Sequence, residues 1–198
     1  MTTQTDIEAA ADVVASGELV VYPTETVYGL GADALDPRAV ERVFEVKDRD
    51  RTKPLSLGVP DVDTALTYVR ASARERSFMR AFLPGPVTVV LERRETIPAV
   101  LTGGRDRVGV RVPDHERARA LLEHTGPLTA TSANISGRES ATRLDAVDSE
   151  IKERAGALLD GGETAGTAST VLDVASGEIH RRGANARRVE AWLANRSE

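Results

Sequence analysis

The chain has 198 residues, of which 40% are apolar, 29% charged and only 4% aromatic, the composition of a folded globular protein whose core rests on Val, Leu, Ile and Ala. It has no cysteine, and His115, His124 and His180 lack metal-ligand spacing, which excludes disulfide frameworks, thiolate zinc sites and cysteine nucleophiles. A net charge of −5 argues against a broad nucleic-acid surface, since neutralising phosphates takes clustered Lys and Arg. No apolar run reaches membrane-spanning length, and the start, MTTQTDIEAAADVV, lacks the basic and apolar regions of a secretory leader. The expected setting is a soluble, cytoplasmic one without a membrane partner. No repeat or linker divides the chain, so a single domain over 1–198 is expected.

Ile7, Ala10, Ala11 and Val14 set a helix over 6–16, stopped at Gly17. LVVYP (19–23) reads as a buried strand and TETVYGLG as a loop, with Gly29 and Gly31 supplying unusual backbone shapes. Asp36-Pro37 opens a helix with Val40, Val43, Phe44 and Val46 on one face, and KDRDRTKP ends it as a polar loop. A strand over 54–59 is followed by helices near 61–69 and 72–83. Pro84-Gly85-Pro86 then breaks the chain before a strand over 87–92. Next come a strand over 107–112, a helix over 114–124, a strand over 127–132 running into the turn ANISG, and a helix over 144–155. Strands near 157–160, 169–175 and 178–182 and a helix over 186–195 close the pattern. Interleaved strands and helices predict a layered α/β fold; consecutive strands late in the chain make the sheet mixed, parallel and antiparallel.

Several chemistries lack their motifs. There is no GxxxxGK[ST], no GxGxxG after a strand and no GxSxG elbow, and Glu25 has no evident second carboxylate for acid–base work. Polar loops at strand ends, where ligands collect in open α/β sheets, remain. Thr24–Gly29 offers hydroxyls and Tyr28 to a small polar ligand, or is a turn whose threonines bond their own backbone. Residues 47–53 place Lys47, Arg49, Arg51 and Lys53 together, suited to an anion unless Asp48 and Asp50 neutralise them. That two of only three lysines fall here adds weight. Arg107, Gly109 and Arg111 share one strand face, leaving room for a ligand or forming an exposed edge. Thr131–Gly137 is a hydroxyl- and amide-rich segment, or a plain Asx/Ser turn. Converging cations and hydroxyls without a base or nucleophile describe positioning and charge neutralisation, as in phosphoryl or nucleotidyl transfer.

PTETVYGLG (23–31), Lys47-x-Arg49 with a following KPL (53–55), PGPVT (84–88), VGVRVP (108–113), TSANISG (131–137) and STVLD (169–173) stand in order. Together they resemble the YrdC-like threonylcarbamoyl-AMP synthases from about residue 6 to 185, in the form without the second domain of longer members. The resemblance implies a YrdC/RibB-like fold, a twisted mixed sheet flanked by helices around a large, positively charged cavity. It implies synthesis of threonylcarbamoyl-AMP and pyrophosphate from L-threonine, bicarbonate and ATP, with Mg²⁺ accompanying ATP. The product would feed the t6A modification of adenosine 37 in ANN-decoding tRNAs through a separate downstream tRNA threonylcarbamoyl transferase, so this chain would make at most weak contact with tRNA.

By position, Lys47, Arg49, Ser132 and Asn134 fill the family's catalytic tetrad. Lys53, Arg181 and Ser140 match further ATP contacts, and Thr26, Tyr28, Arg111 and Ser169 match the threonine pocket, with Arg111 on the carboxylate and Tyr28 as a wall. No carboxylate stands out as a metal ligand. Two positions depart from the pattern: Gly58 stands where many relatives have His, and Asp50 where Pro is common, which implies a looser loop. A YciO-like paralogue, an RNA-binding module and a carbamoyltransferase domain of hydrogenase maturation are the other readings.

Overall fold

A computed structural model describes residues 4–195; the first residues of the segment read above for a leader lie outside that range. In chain order the elements are α1 (Gln4–Ala15), β1 (Val20–Tyr22), β2 (Gly29–Gly31), α2 (Pro37–Val46), β3 (Ser56–Gly58) and α3 (Val62–Tyr68). There follow β4 (Val69–Arg70), α4 (Ala73–Phe82), β5 (Val87–Arg93), β6 (Arg107–Arg111), α5 (Glu116–Thr125) and β7 (Leu128–Ser132). A 3₁₀ turn (Leu144–Ala146), α6 (Ser149–Arg154), β8 (Ala157–Leu158), β9 (Thr170–Asp173), β10 (Glu178–Arg181) and α7 (Ala186–Ala194) complete them.

Local chemistry sets the helix starts. Asp36 caps α2 by accepting from the Arg38 amide with Pro37 in the first turn, Asp61 caps α3, and Ser72 with Glu75 forms a reciprocal capping box on α4. The strands run in the order β10-β9-β5-β6-β3-β7-β2-β1-β8, with β4 pairing β5 off that path. β1–β8, β3–β6 and β5–β9 are parallel and the other pairs antiparallel, the mixed sheet expected. One apolar cluster joins the sheet to α2, α3, α4 and α7, and a second joins it to α1 and α5 through Ile7, Val14, Leu121 and Leu122. On α4, Phe78 stacks on Phe82 at 4.4 Å and meets Trp192 of α7 edge-on at 5.0 Å. Such pairs add about 0.5–1.5 kcal/mol each beyond their buried area. They pin the chain just after β10, whose last residue is Arg181.

Three local expectations are corrected. The segment read as a loop contains β2, because Gly29 and Gly31 lie flat against β1: a Cβ there would stand 3.1 Å and 3.0 Å from the Tyr22 ring. Close approach, and not a special backbone angle, explains these glycines. The helix read over 144–155 is a 3₁₀ turn and a shorter α6, since the Asp148 carboxylate accepts from the Ile135 amide and Arg138 and does not cap the helix. The two-residue β4 has no signal in the sequence; Val69 and Arg70 extend only because β5 offers an edge.

Candidate functional site

A cavity of about 330 Å³ opens over the middle of the sheet, floored by small residues including Gly58 and Gly109. Its walls bring together Thr26, Arg49, Arg111, Ser132, Ser169 and Arg181 from six separate segments. Gly109 is obligatory for this floor: a Cβ would stand 2.8 Å from Ser56 Oγ and 2.9 Å from Thr88 Cγ2.

Arg49 owes its place to the end of α2. The amide of Asp48 bonds the Glu45 carbonyl and that of Arg49 bonds the Phe44 carbonyl, a Schellman closure with Asp48 at φ +48° where glycine is usual. Asp50 then accepts from the amide (2.9 Å) and hydroxyl (2.8 Å) of Thr52, so the loop expected to be looser closes on an Asx turn. Arg49 returns to the loop, Nε donating to the Lys53 carbonyl and a terminal nitrogen to that of Pro54, both at 3.0 Å.

On the opposite wall a terminal nitrogen of Arg111 donates to Thr26 Oγ1 at 2.7 Å and stands 3.1 Å from Glu25 Oε2. Thr26 Oγ1 is also bonded to Thr24 Oγ1 at 2.9 Å, and Thr24 donates to the Val27 carbonyl. The Thr24–Val27 segment is therefore both a self-bonded turn and part of the cavity wall. Arg181 holds Ser169 twice, Nε on its carbonyl (3.0 Å) and a terminal nitrogen on its hydroxyl (2.8 Å), and Ser169 Oγ meets Thr88 Oγ1 at 3.0 Å. Burial first, then the nearby cations Arg111 and Arg49, make Arg181 less basic than a free guanidinium. The cavity therefore gathers positive charge in a partly desolvated space, which suits phosphates and carboxylates.

The family model of Sua5, YciO and YrdC proteins, described as "Telomere recombination", matches residues 12–183. The chain belongs to this Sua5/YciO/YrdC family. It is 43% identical over 171 residues to a threonylcarbamoyl-AMP synthase of Pyrococcus abyssi, covering 85% of this chain and 50% of that protein. A threonylcarbamoyl-AMP synthase of Pseudoalteromonas translucida is 35% identical over 188 residues, 91% of this chain and 100% of that one. The fold superposes on the crystal structure of P. abyssi Sua5 complexed with L-threonine with a TM-score of 0.85 at 41% identity, over 92% of this chain and 55% of that chain. The chain thus spans about half the length of the Pyrococcus abyssi protein, and all of the Pseudoalteromonas one.

Seen in this family frame, the residues named from sequence divide. Thr26, Arg49, Arg111, Ser132, Ser140, Ser169 and Arg181 line one cavity. Lys47 and Asn134 lie behind its wall. Lys47 is 1% exposed and donates from Nζ to the carbonyls of Ser132 and Asn134, while its own carbonyl accepts from the Ser136 amide at 2.8 Å. Burial, and then the Arg49 charge, lower Lys47 to about 7. Asn134 accepts from Ser132 Oγ and spends its amide on the carbonyls of Ile135 and Arg138, closing the 131–138 turn. The exposed Lys53 side chain is outside the cavity lining.

Tyr28, expected in the threonine-pocket wall, is instead fully buried in the main core cluster. Its hydroxyl donates toward Asp160 Oδ1 (2.9 Å) and the Gly162 carbonyl (2.8 Å) and accepts from the Gly161 amide. Arg107 keeps the strand face it was read on but lies outside the cavity: two residues from Gly109, about 7 Å along the strand, it pairs with Asp173 at 2.9 Å. Sequence reading missed Thr88 and the Glu25–Arg111 pair. A threonine inside the apolar run VTVVLE was the available signal for Thr88; no local pattern could join residues 25 and 111.

Proposed function

We propose that this chain is an L-threonylcarbamoyladenylate synthase, making threonylcarbamoyl-AMP and pyrophosphate from L-threonine, bicarbonate and ATP. One observation carries the reading: a single cavity holds two arginines, Arg49 and Arg181, with Ser132 and Ser140, beside a third arginine, Arg111, with Thr26 and Ser169. That is an arrangement for a triphosphate next to a carboxylate-bearing partner. The threonylcarbamoyl-AMP synthases it resembles and the threonine complex of P. abyssi Sua5 support the same reading.

In this mechanism the threonine amine and bicarbonate form an N–C bond with loss of water, giving a carbamate. A carbamate oxygen then attacks the α-phosphorus, and the α–β bridging oxygen leaves with pyrophosphate. Arg49 and Arg181 neutralise charge that gathers on the departing oxygens, with Ser132 and Ser140 orienting the phosphates; Arg111, Thr26 and Ser169 hold the amino acid. Lys47 and Asn134 act one layer back, fixing the backbone that carries Ser132. Work of this kind needs neither a nucleophile nor a base from the protein.

Among the described residues no three His, Cys, Asp or Glu form a metal-holding group. The magnesium expected with ATP would be carried by the nucleotide's own phosphates, and no step is assigned through it. The product would pass to a separate tRNA threonylcarbamoyl transferase for t6A37 formation, with at most weak contact between this chain and tRNA. Among the described residues no helix is long and apolar enough to cross a membrane.

The deciding experiment follows pyrophosphate and adenylate product from ATP, bicarbonate and labelled threonine. Product carrying the threonine label is expected, and release that persists unchanged without threonine sinks the synthase reading.

A further inference from the structure

Glu25 has no part in the mechanism above, yet its surroundings are unusual for a carboxylate. Both oxygens are covered from solvent and neither accepts a hydrogen bond; the side chain is 16% exposed. Its counter-charge is one Arg111 nitrogen at 3.1 Å, and that nitrogen already donates to Thr26 Oγ1. An ionised carboxylate has about four lone-pair sites, and burying it with these unfilled is costly unless something else fills them. The other groups that feel its charge, Tyr22 and His115, supply no hydrogen bond to it either. Arg111 lines the cationic cavity and Glu25 stands directly behind that wall, between the lining residues Thr24 and Thr26, so the two are an acid and a base closed on each other with the acid left unsatisfied.

We infer that Glu25 is the acidic half of an amino-acid clamp whose basic half is Arg111, and that an α-amino acid enters by exchanging ion pairs. The incoming carboxylate takes the place of Glu25 on Arg111, and the incoming ammonium takes the place of Arg111 on Glu25. An α-amino acid carries both charges on one carbon, so it matches a neighbouring acid–base pair. A ligand with only one charge cannot complete the exchange. A bare carboxylate strands Glu25 without a cation, and a bare amine strands Arg111 against Arg49 and Arg181. Glu25 is thus a specificity-determining residue, selecting zwitterions over simple acids by penalising the wrong ligand. The ammonium gives one proton to solvent water before the N–C bond forms, and once the nitrogen is carbamoylated its positive charge is gone. Glu25 then repels the new carbamate toward Arg49 and Arg181, the side on which the α-phosphorus is to be attacked.

This inference rests on the amino-acid reading of the Arg111 wall, and one calorimetric series separates the two. Wild-type protein is titrated with L-threonine, with 3-hydroxybutyrate (carboxylate, no ammonium) and with L-threonine methyl ester (ammonium, no carboxylate). Each half-ligand is expected to bind at least about 100-fold more weakly than threonine, because it leaves a buried charge unpaired. In Glu25→Gln, threonine should weaken at least about tenfold while 3-hydroxybutyrate binds no more weakly than to wild type, since no charge is stranded. Threonine binding unchanged in Glu25→Gln, or equal loss of both ligands in a variant that still unfolds cooperatively, overturns the clamp and leaves the synthase reading standing. Wild type that binds 3-hydroxybutyrate as well as threonine overturns it without any variant, should Glu25→Gln fail to fold. Wild type that binds no threonine removes both.

Discussion

Lys47 and Arg111 are both nearly buried cations beside the same cavity, and they differ in what occupies their donors. Lys47 points at two backbone carbonyls, Ser132 and Asn134, and is absent from the cavity lining. Arg111 lines the cavity and is held by one hydroxyl and one ill-satisfied carboxylate. A buried ammonium spent on carbonyls behind the cavity wall is a brace, whereas a guanidinium that lines the cavity keeps donors for a ligand even where, like Arg49, it also bonds carbonyls. The family tetrad divides on this line: Arg49 and Ser132 face the cavity, while Lys47 and Asn134 hold the turn that aims them.

The contrast can be broken most directly at Arg111. Arg111→Ala should lower kcat/KM for threonine in the pyrophosphate-release assay by about 10²–10³-fold, the loss typical of one well-placed charged contact. A change below tenfold would remove Arg111 from the binding wall. Lys47→Met should act first on the fold, lowering unfolding free energy in urea by about 2 kcal/mol as two buried carbonyls lose their donor. If that variant melts like wild type but is inactive, Lys47 is a ligand group and the division fails. Because Lys47 sits near 7 when folded and near the ordinary lysine value when unfolded, the unfolded chain holds more protons between those values. Its contribution to stability must therefore rise with pH above about 7, and the gap in urea midpoint between wild type and Lys47→Met should widen from pH 7 to pH 9.5.

Smaller effects sharpen the map. Arg181→Ala should raise KM for ATP about tenfold with little loss of stability, because only its two bonds to Ser169 are given up. Tyr28→Phe should cost about 1 kcal/mol in unfolding free energy through the lost bonds to Asp160 and Gly162. It should leave KM for threonine within about twofold, and a larger change would return Tyr28 to the pocket wall.

What could be read from the amino acids alone was local or motif-borne. The Asp36-Pro37 start, the strand runs at 87–92 and 107–112 and the six ordered motifs need only neighbouring residues, since caps, turns and hydrophobic periods act within a few positions. The same local rules failed where a distant partner decided. Gly29 and Gly31 became a strand because the Tyr22 ring lies across them, and the helix expected over 144–155 is interrupted where Asp148 bonds Ile135 and Arg138. Tertiary structure alone set the site's division of labour. Lys47 and Arg49 are two residues apart, yet one turn buries the first against carbonyls and delivers the second to the cavity. Glu25 and Arg111 acquire meaning only when the turn after β1 is brought to β6 by the assembled sheet, because an ion pair depends on distance in space and sequence separation carries none of it.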